Sequence, residues 1–123
     1  MKFKIKNALV SVSDKENIIS LLKIFKKYGI KIISSGGTYK SILKLGYNCT
    51  ELSSYTGFEE MLDGRVKTLH PKIHAGILHD RQNKSHKSEM SKKKFPPIDL
   101  IVVNFYPFQK VVRGSKNKKN IIE

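Results

Sequence analysis

Cysteine is almost missing from this 123-residue chain: Cys49 stands alone. One thiol forms neither an intramolecular disulfide nor a cysteine metal cluster, and its use fits a reducing, cytoplasmic setting. Long apolar runs are missing too. None approaches the ~20 residues that a bilayer-spanning helix needs, so no membrane partner is expected. The N-terminus, MKFKIKNALVSVSDKEN, opens basic but carries no long apolar block, which argues against a signal peptide. Neither a G-x-G-x-x-G fingerprint nor a Walker loop with Gly-Lys-Ser/Thr occurs, so NAD and ATP are poor candidates. Acidic residues are scarce, ten against 24 lysines and arginines, for a net charge of +14.

That charge invites a nucleic-acid reading, and its distribution weakens it. Residues 82–94 (QNKSHKSEMSKKK) and 109–119 (QKVVRGSKNKK) hold most of the excess in two polar segments. The basic residues are nearly all lysine, whereas phosphate clamps and base contacts favour arginine. A nucleic-acid partner is therefore not the expectation. The length suits one domain with a core of its own.

Along the chain, residues 8–13 (ALVSVS) read as a buried strand. Ser13 or Asp14 then caps a helix running to Tyr28, with Ile18, Leu21, Leu22 and Phe25 on one stripe and Gly29 at its C-terminal stop. Residues 30–34 form a second strand, followed at once by SGGT. Thr38 is the expected N-cap of a second helix, YKSILKL, closed by Gly46; YNCTEL is a third strand. A short helix is expected after Thr56, within TGFEEMLDG, and residues 82–94 are read as a solvated helix or loop. Residues 99–108 (DLIVVNFYPF) read as a central strand covered on both faces. Alternating strands and helices predict a mainly parallel sheet with helices packed on it.

Ligands of open α/β sheets bind beyond the carboxyl ends of the strands. Three such ends carry suitable chemistry. Ser11, Ser13 and Lys15 offer two hydroxyls and an ammonium. Ser35, Gly36, Gly37 and Thr38 offer a glycine turn at a helix N-terminus, a favourable place for an anion. Asn104 and Tyr106 end the most apolar strand. Together they predict a nucleotide or sugar-phosphate pocket.

Residues 64–78, GRVKTLHPKIHAGIL, concentrate basic groups among apolar ones. His70 and His74 are four apart, but Pro71 separates them and no H-E-x-x-H is present, so no metal is expected. Arg65, Lys67 and Thr68 lie in an alternating stretch that would turn both cations to one side, toward an anion or a developing oxyanion.

SVSDK, SSGGT, TGFEEMLDGRVKTLHPKIHAGIL and VVNFYPF, in this order and spacing, resemble the N-terminal domain of the bifunctional purine-biosynthesis family. That family joins inosine monophosphate (IMP) cyclohydrolase to aminoimidazole-carboxamide ribonucleotide (AICAR) formyltransferase. The resemblance implies a methylglyoxal-synthase-like three-layer α/β sandwich over residues 1–123. It implies closure of the 5-formamidoimidazole-4-carboxamide ribonucleotide ring to IMP, with loss of water and without cofactor or metal. Ser11, Ser13, Lys15, Ser35, Gly36, Gly37 and Thr38 would hold the 5′-phosphate and ribose. Arg65, Lys67 and Thr68 would surround the reacting end, Lys67 as oxyanion stabiliser or proton donor. Asn104 and Tyr106 would meet the carboxamide and formyl groups, while His70 supports the loop.

The family continues into IDIGG-like and AAAKN-like segments that bring an aspartate and a second lysine, and then into the formyltransferase domain, which uses 10-formyltetrahydrofolate. Those parts lie past Glu123, so an incomplete cyclohydrolase site and no formyltransferase activity are expected of this chain. A purine ribonucleotide is the implied small-molecule partner, and a homodimer the implied assembly of the full-length protein. The alternatives are a methylglyoxal-synthase-like enzyme, a nucleotide-binding regulatory domain, or a basic nucleic-acid-binding module.

Overall fold

A computed structural model of the chain describes residues 4–12 and 18–104. Within them the elements run β1 (Asn7–Ser11), α1 (Ile18–Tyr28), β2 (Lys31–Ser34), α2 (Gly36–Lys44), β3 (Thr50–Glu51), α3 (Leu52–Thr56), α4 (Pro71–Leu78), α5 (Lys84–Lys93) and β4 (Leu100–Val103). The strands form one sheet in the order β3-β2-β1-β4, every pair parallel.

Side-chain alternation along the strands builds two cores. Ala8 and Val10 of β1 share a face with Ile32, and α1 and α2 cover it through Ile18, Leu22, Phe25 and Ile42. Leu9 and Ile33 point the other way, into a second cluster with Leu52 of α3, Ile73 of α4 and Ile98. Helices on both faces of a parallel sheet give the three-layer sandwich expected from the sequence.

The helix ends follow from their glycines. Beyond α1, Gly29 adopts φ 66°, and the Gly29 and Ile30 N–H groups bond back to Lys26 and Phe25 carbonyls. Gly46 (φ 89°) repeats the arrangement after α2, through Leu43 and Ile42. Both are Schellman ends, which need a left-handed residue. Residues 13–17, with the expected Ser13 or Asp14 cap of α1, lie outside the described residues.

Several boundaries depart from the sequence expectation. β3 is two residues long, and α3 ends at Thr56 rather than following it. Gly57 (φ 77°) closes α3, and Thr56 Oγ1 accepts from the Phe58 N–H at 3.1 Å, so Thr56-Gly57 is a helix end and not a start. β4 pairs only with β1 among the described residues, and the expected double cover does not hold there: Ile101 is 41% exposed and Val103 65%. Its start is well held. Asp99 Oδ2 accepts from the Lys6 and Asn7 N–H groups at 2.8 and 3.2 Å, and Arg81 donates to the Ile98 carbonyl at 2.8 Å. Residues 105–108 of the expected strand lie outside the described residues. Residues 84–93 are helical, with Met90 the residue that α5 buries.

Cys49 leads into β3, and burial pushes its thiol up from 9.0 to about 11. Two units leave about a hundredfold less thiolate near pH 8. Iodoacetamide should therefore label the folded chain roughly ten- to a hundredfold more slowly than the urea-unfolded chain, with the rate climbing until about pH 11. Equal rates at pH 8 would contradict the burial.

Candidate active site

All four strands point their carboxyl ends the same way, so the residues after them share one pole. Ser11 ends β1 in register with Val103, which sets Asn104 one residue beyond it on β4. On the other side β2 ends in Ser34, paired with Glu51 at the end of β3. Ser34 is buried, its hydroxyl donating to the Val10 carbonyl at 2.6 Å, so it ties the strands together and offers nothing to a ligand.

The SGGT stretch turns straight from β2 into α2. Ser35 is the N-cap by backbone geometry (φ −141°, ψ 165°), and its hydroxyl makes no capping bond. This corrects the assignment of that role to Thr38, which sits inside the first turn. Thr38 is 5% exposed; its hydroxyl donates to the Val12 carbonyl at 3.0 Å and accepts from the Val12 N–H at 3.4 Å. It clasps the turn to the chain leaving β1. The first-turn N–H groups of Gly36, Gly37 and Thr38 have no carbonyl within the helix, and the helix dipole adds partial positive charge there. Gly36 (φ 55°) has open space where a Cβ would be, so an anion has room to approach the backbone.

Residues 61–66 form a tight hairpin, with Met61 and Val66 exchanging backbone bonds at 2.8 and 3.1 Å. Leu62, Asp63 and Gly64 all adopt left-handed φ (54°, 56° and 82°). The turn breaks the extended alternation expected of Arg65-Val66-Lys67. Only Lys67 reaches the cavity beside the SGGT turn, while Arg65 is exposed and Thr68 half-buried outside its lining. Next, His70 caps α4: its Nδ1 accepts from the Lys72 N–H at 3.0 Å, with Pro71 in the first turn. That agrees with the expected supporting role.

The cavity, about 380 Å³, thus joins Ser35, Gly36 and Lys67 at the strand ends. Sequence reasoning missed its other walls, Tyr39 and Phe58 and the carboxylates Glu51, Glu59 and Glu60. Glu51 was findable, since it is the last residue of a strand whose end was set one residue too late. Gly37, Thr38, Ser11 and Asn104 sit at the same pole without lining this cavity. Ser13, Lys15 and Tyr106 lie outside the described residues. Among the described residues no group of three His, Cys, Asp or Glu side chains is placed to hold a metal ion. No described helix is long and apolar enough to cross a membrane.

Residues 17–123 fit the model of the MGS-like domain. The chain belongs to this family. It is 53% identical over 117 residues, 95% of its length, to the bifunctional purine biosynthesis protein PurH of Clostridium acetobutylicum. It is 52% identical over 104 residues to the PurH protein of Clostridium kluyveri, covering 85% of the chain. The chain spans about a fifth of each relative, 22% and 21%. Among solved structures, ForH superposes with a TM-score of 0.74 at 33% identity, over 83% of this chain and 53% of that one.

Proposed function

We propose that this MGS-like domain performs the IMP cyclohydrolase step of purine biosynthesis in the cytoplasm, as part of a bifunctional, homodimeric enzyme. The observation that carries the reading is the meeting of Lys67 with the Ser35-Gly36 turn at one strand-end cavity. The PurH name of relatives at 53% and 52% identity supports it.

In this reaction the carboxamide nitrogen attacks the formyl carbon, the C–N bond closes the ring, and the formyl oxygen leaves as water. A carboxamide nitrogen is a weak nucleophile, so positioning contributes much of the acceleration. Negative charge grows on the formyl oxygen during attack, and the Lys67 ammonium is the donor that meets it. The 5′-phosphate lies over the N-terminus of α2, with Ser11, Ser13 and Lys15 completing its cradle and Thr38 holding the turn in place. Arg65, Thr68 and Asn104, outside the lining of that cavity, and Tyr106, outside the described residues, would approach the reacting end as the substrate binds, Tyr106 in proton transfer. The step uses no cofactor; 10-formyltetrahydrofolate serves the formyltransferase reaction of the bifunctional enzyme.

Titration of the isotope-labelled chain with IMP tests the reading. Saturable shifts are expected at the amides of residues 35–38 and at Lys67, with a dissociation constant in the micromolar to millimolar range, ~4–8 kcal/mol. An unchanged spectrum at millimolar IMP would refute it.

A further inference from the structure

We propose that Glu51 receives the ribose hydroxyls of the bound nucleotide and makes the domain select ribonucleotides over 2′-deoxyribonucleotides; this rests on the nucleotide reading above. Glu51 ends β3 directly opposite Ser34 in the parallel register with β2. Neighbouring strands run ~4.8 Å apart, so its backbone stands beside the entrance to the Ser35-Gly36 turn. Glu51 and the turn line the same cavity.

The side chain is anchored. Ser53 Oγ donates to Glu51 Oε1 at 2.7 Å, which fixes one oxygen and leaves Oε2 as an acceptor. An ionised carboxylate only accepts hydrogen bonds, and a vicinal diol supplies two O–H donors. The match is short and charge-assisted. Nucleotide-binding α/β sheets use the same arrangement, an acidic residue beyond the phosphate turn that bonds the ribose hydroxyl.

Charge sorts what each group takes. Glu51, Glu59 and Glu60 line the cavity together with Lys40 and Lys67. A phosphate dianion is drawn to the α2 N-terminus and to the lysines. Neutral hydroxyls are what a carboxylate accepts. Of the three acids, Glu51 alone sits on a strand; Glu59 and Glu60 follow α3 in the loop before the hairpin. Rigid elements hold a specificity contact better than loops do.

The test is calorimetric titration of IMP and 2′-deoxy-IMP into the wild-type chain, Glu51→Ala and Glu51→Gln, each checked for native circular dichroism. The wild type should prefer IMP by about tenfold, the scale of one charged hydrogen bond. Glu51→Ala should bind both ligands alike, at or below the affinity the wild type shows for the deoxynucleotide, which keeps its 3′-hydroxyl. Glu51→Gln, which keeps the shape and loses the charge, should fall between. Ser53→Ala should erode the preference by about threefold, because the carboxylate is then free to turn away. Equal binding of the two ligands by the wild type overturns the assignment while leaving the nucleotide reading intact. A ribose preference that survives in Glu51→Ala also overturns it. If neither nucleotide binds the wild type, the nucleotide reading falls and this inference with it.

Discussion

Lys67→Ala should slow ring closure by the proposed bifunctional enzyme roughly 10²–10³-fold, the loss that follows removal of one preorganised donor to a developing oxyanion. The expectation starts from the hairpin. Its left-handed Leu62-Asp63-Gly64 turn forces the chain to reverse at Met61–Val66 and delivers Lys67, half-buried, to the cavity wall. An ammonium there meets charge that is small on the formyl oxygen of the bound substrate and large as the ring closes. Only the second interaction accelerates the step. In the proposed reading the phosphate sits elsewhere, at the α2 N-terminus, so IMP affinity should change by no more than about tenfold. Single-turnover IMP formation followed by absorbance, beside a calorimetric dissociation constant, separates the two quantities. Lys67→Arg should recover part of the rate, since the guanidinium keeps the charge but not the compact geometry. Equal losses in rate and affinity would assign Lys67 to ground-state binding and remove it from the chemistry.

The parts of this architecture that were legible in the sequence are those fixed by local rules. The Ile18, Leu22 and Phe25 stripe marks the buried face of α1, and Gly29 and Gly46 mark the two helix ends because a Schellman turn demands left-handed φ. SGGT was readable as a glycine turn into α2 for a similar reason, Gly36 adopting φ 55°. What was not legible depends on partners distant in sequence. Four consecutive aliphatic residues look alike in a central strand and in β4, and only the crossover past α3, α4 and α5 sets β4 beyond β1 with Ile101 and Val103 exposed. Thr38 has the composition of an N-cap, yet Val12, 26 positions earlier, takes its hydroxyl. The stretch TGFEEMLDG was expected to hold a short helix after Thr56, although its Asp-Gly pair is a turn signal that the hairpin obeys. That the cavity is lined by Lys67 and not by Arg65 therefore depends on the turn, which the residue types alone do not show.

Phe25→Ala should lower the unfolding free energy by about 3–5 kcal/mol, without altering the site in the molecules that remain folded. Phe25 is 2% exposed and packs with Leu22, Ile18, Ile32 and Ile42 between α1 and the sheet. Loss of the ring forfeits its transfer free energy and its dispersion contacts together. A groove of about 580 Å³ at the amino-terminal pole is lined by Phe25, Leu22, Tyr47 and Cys49, so the space left behind opens to water instead of staying an empty void. That relief places the expected loss toward the lower end, about 3 kcal/mol. Urea unfolding should show the midpoint falling at an unchanged slope. Phe25→Leu, which refills most of the volume, should lose less than about 1.5 kcal/mol. The groove faces away from the strand ends that carry Ser35 and Lys67, so IMP affinity corrected for the folded fraction should match the wild type. A loss under about 1 kcal/mol for the alanine variant would mean that α1 is not what holds this face of the sheet.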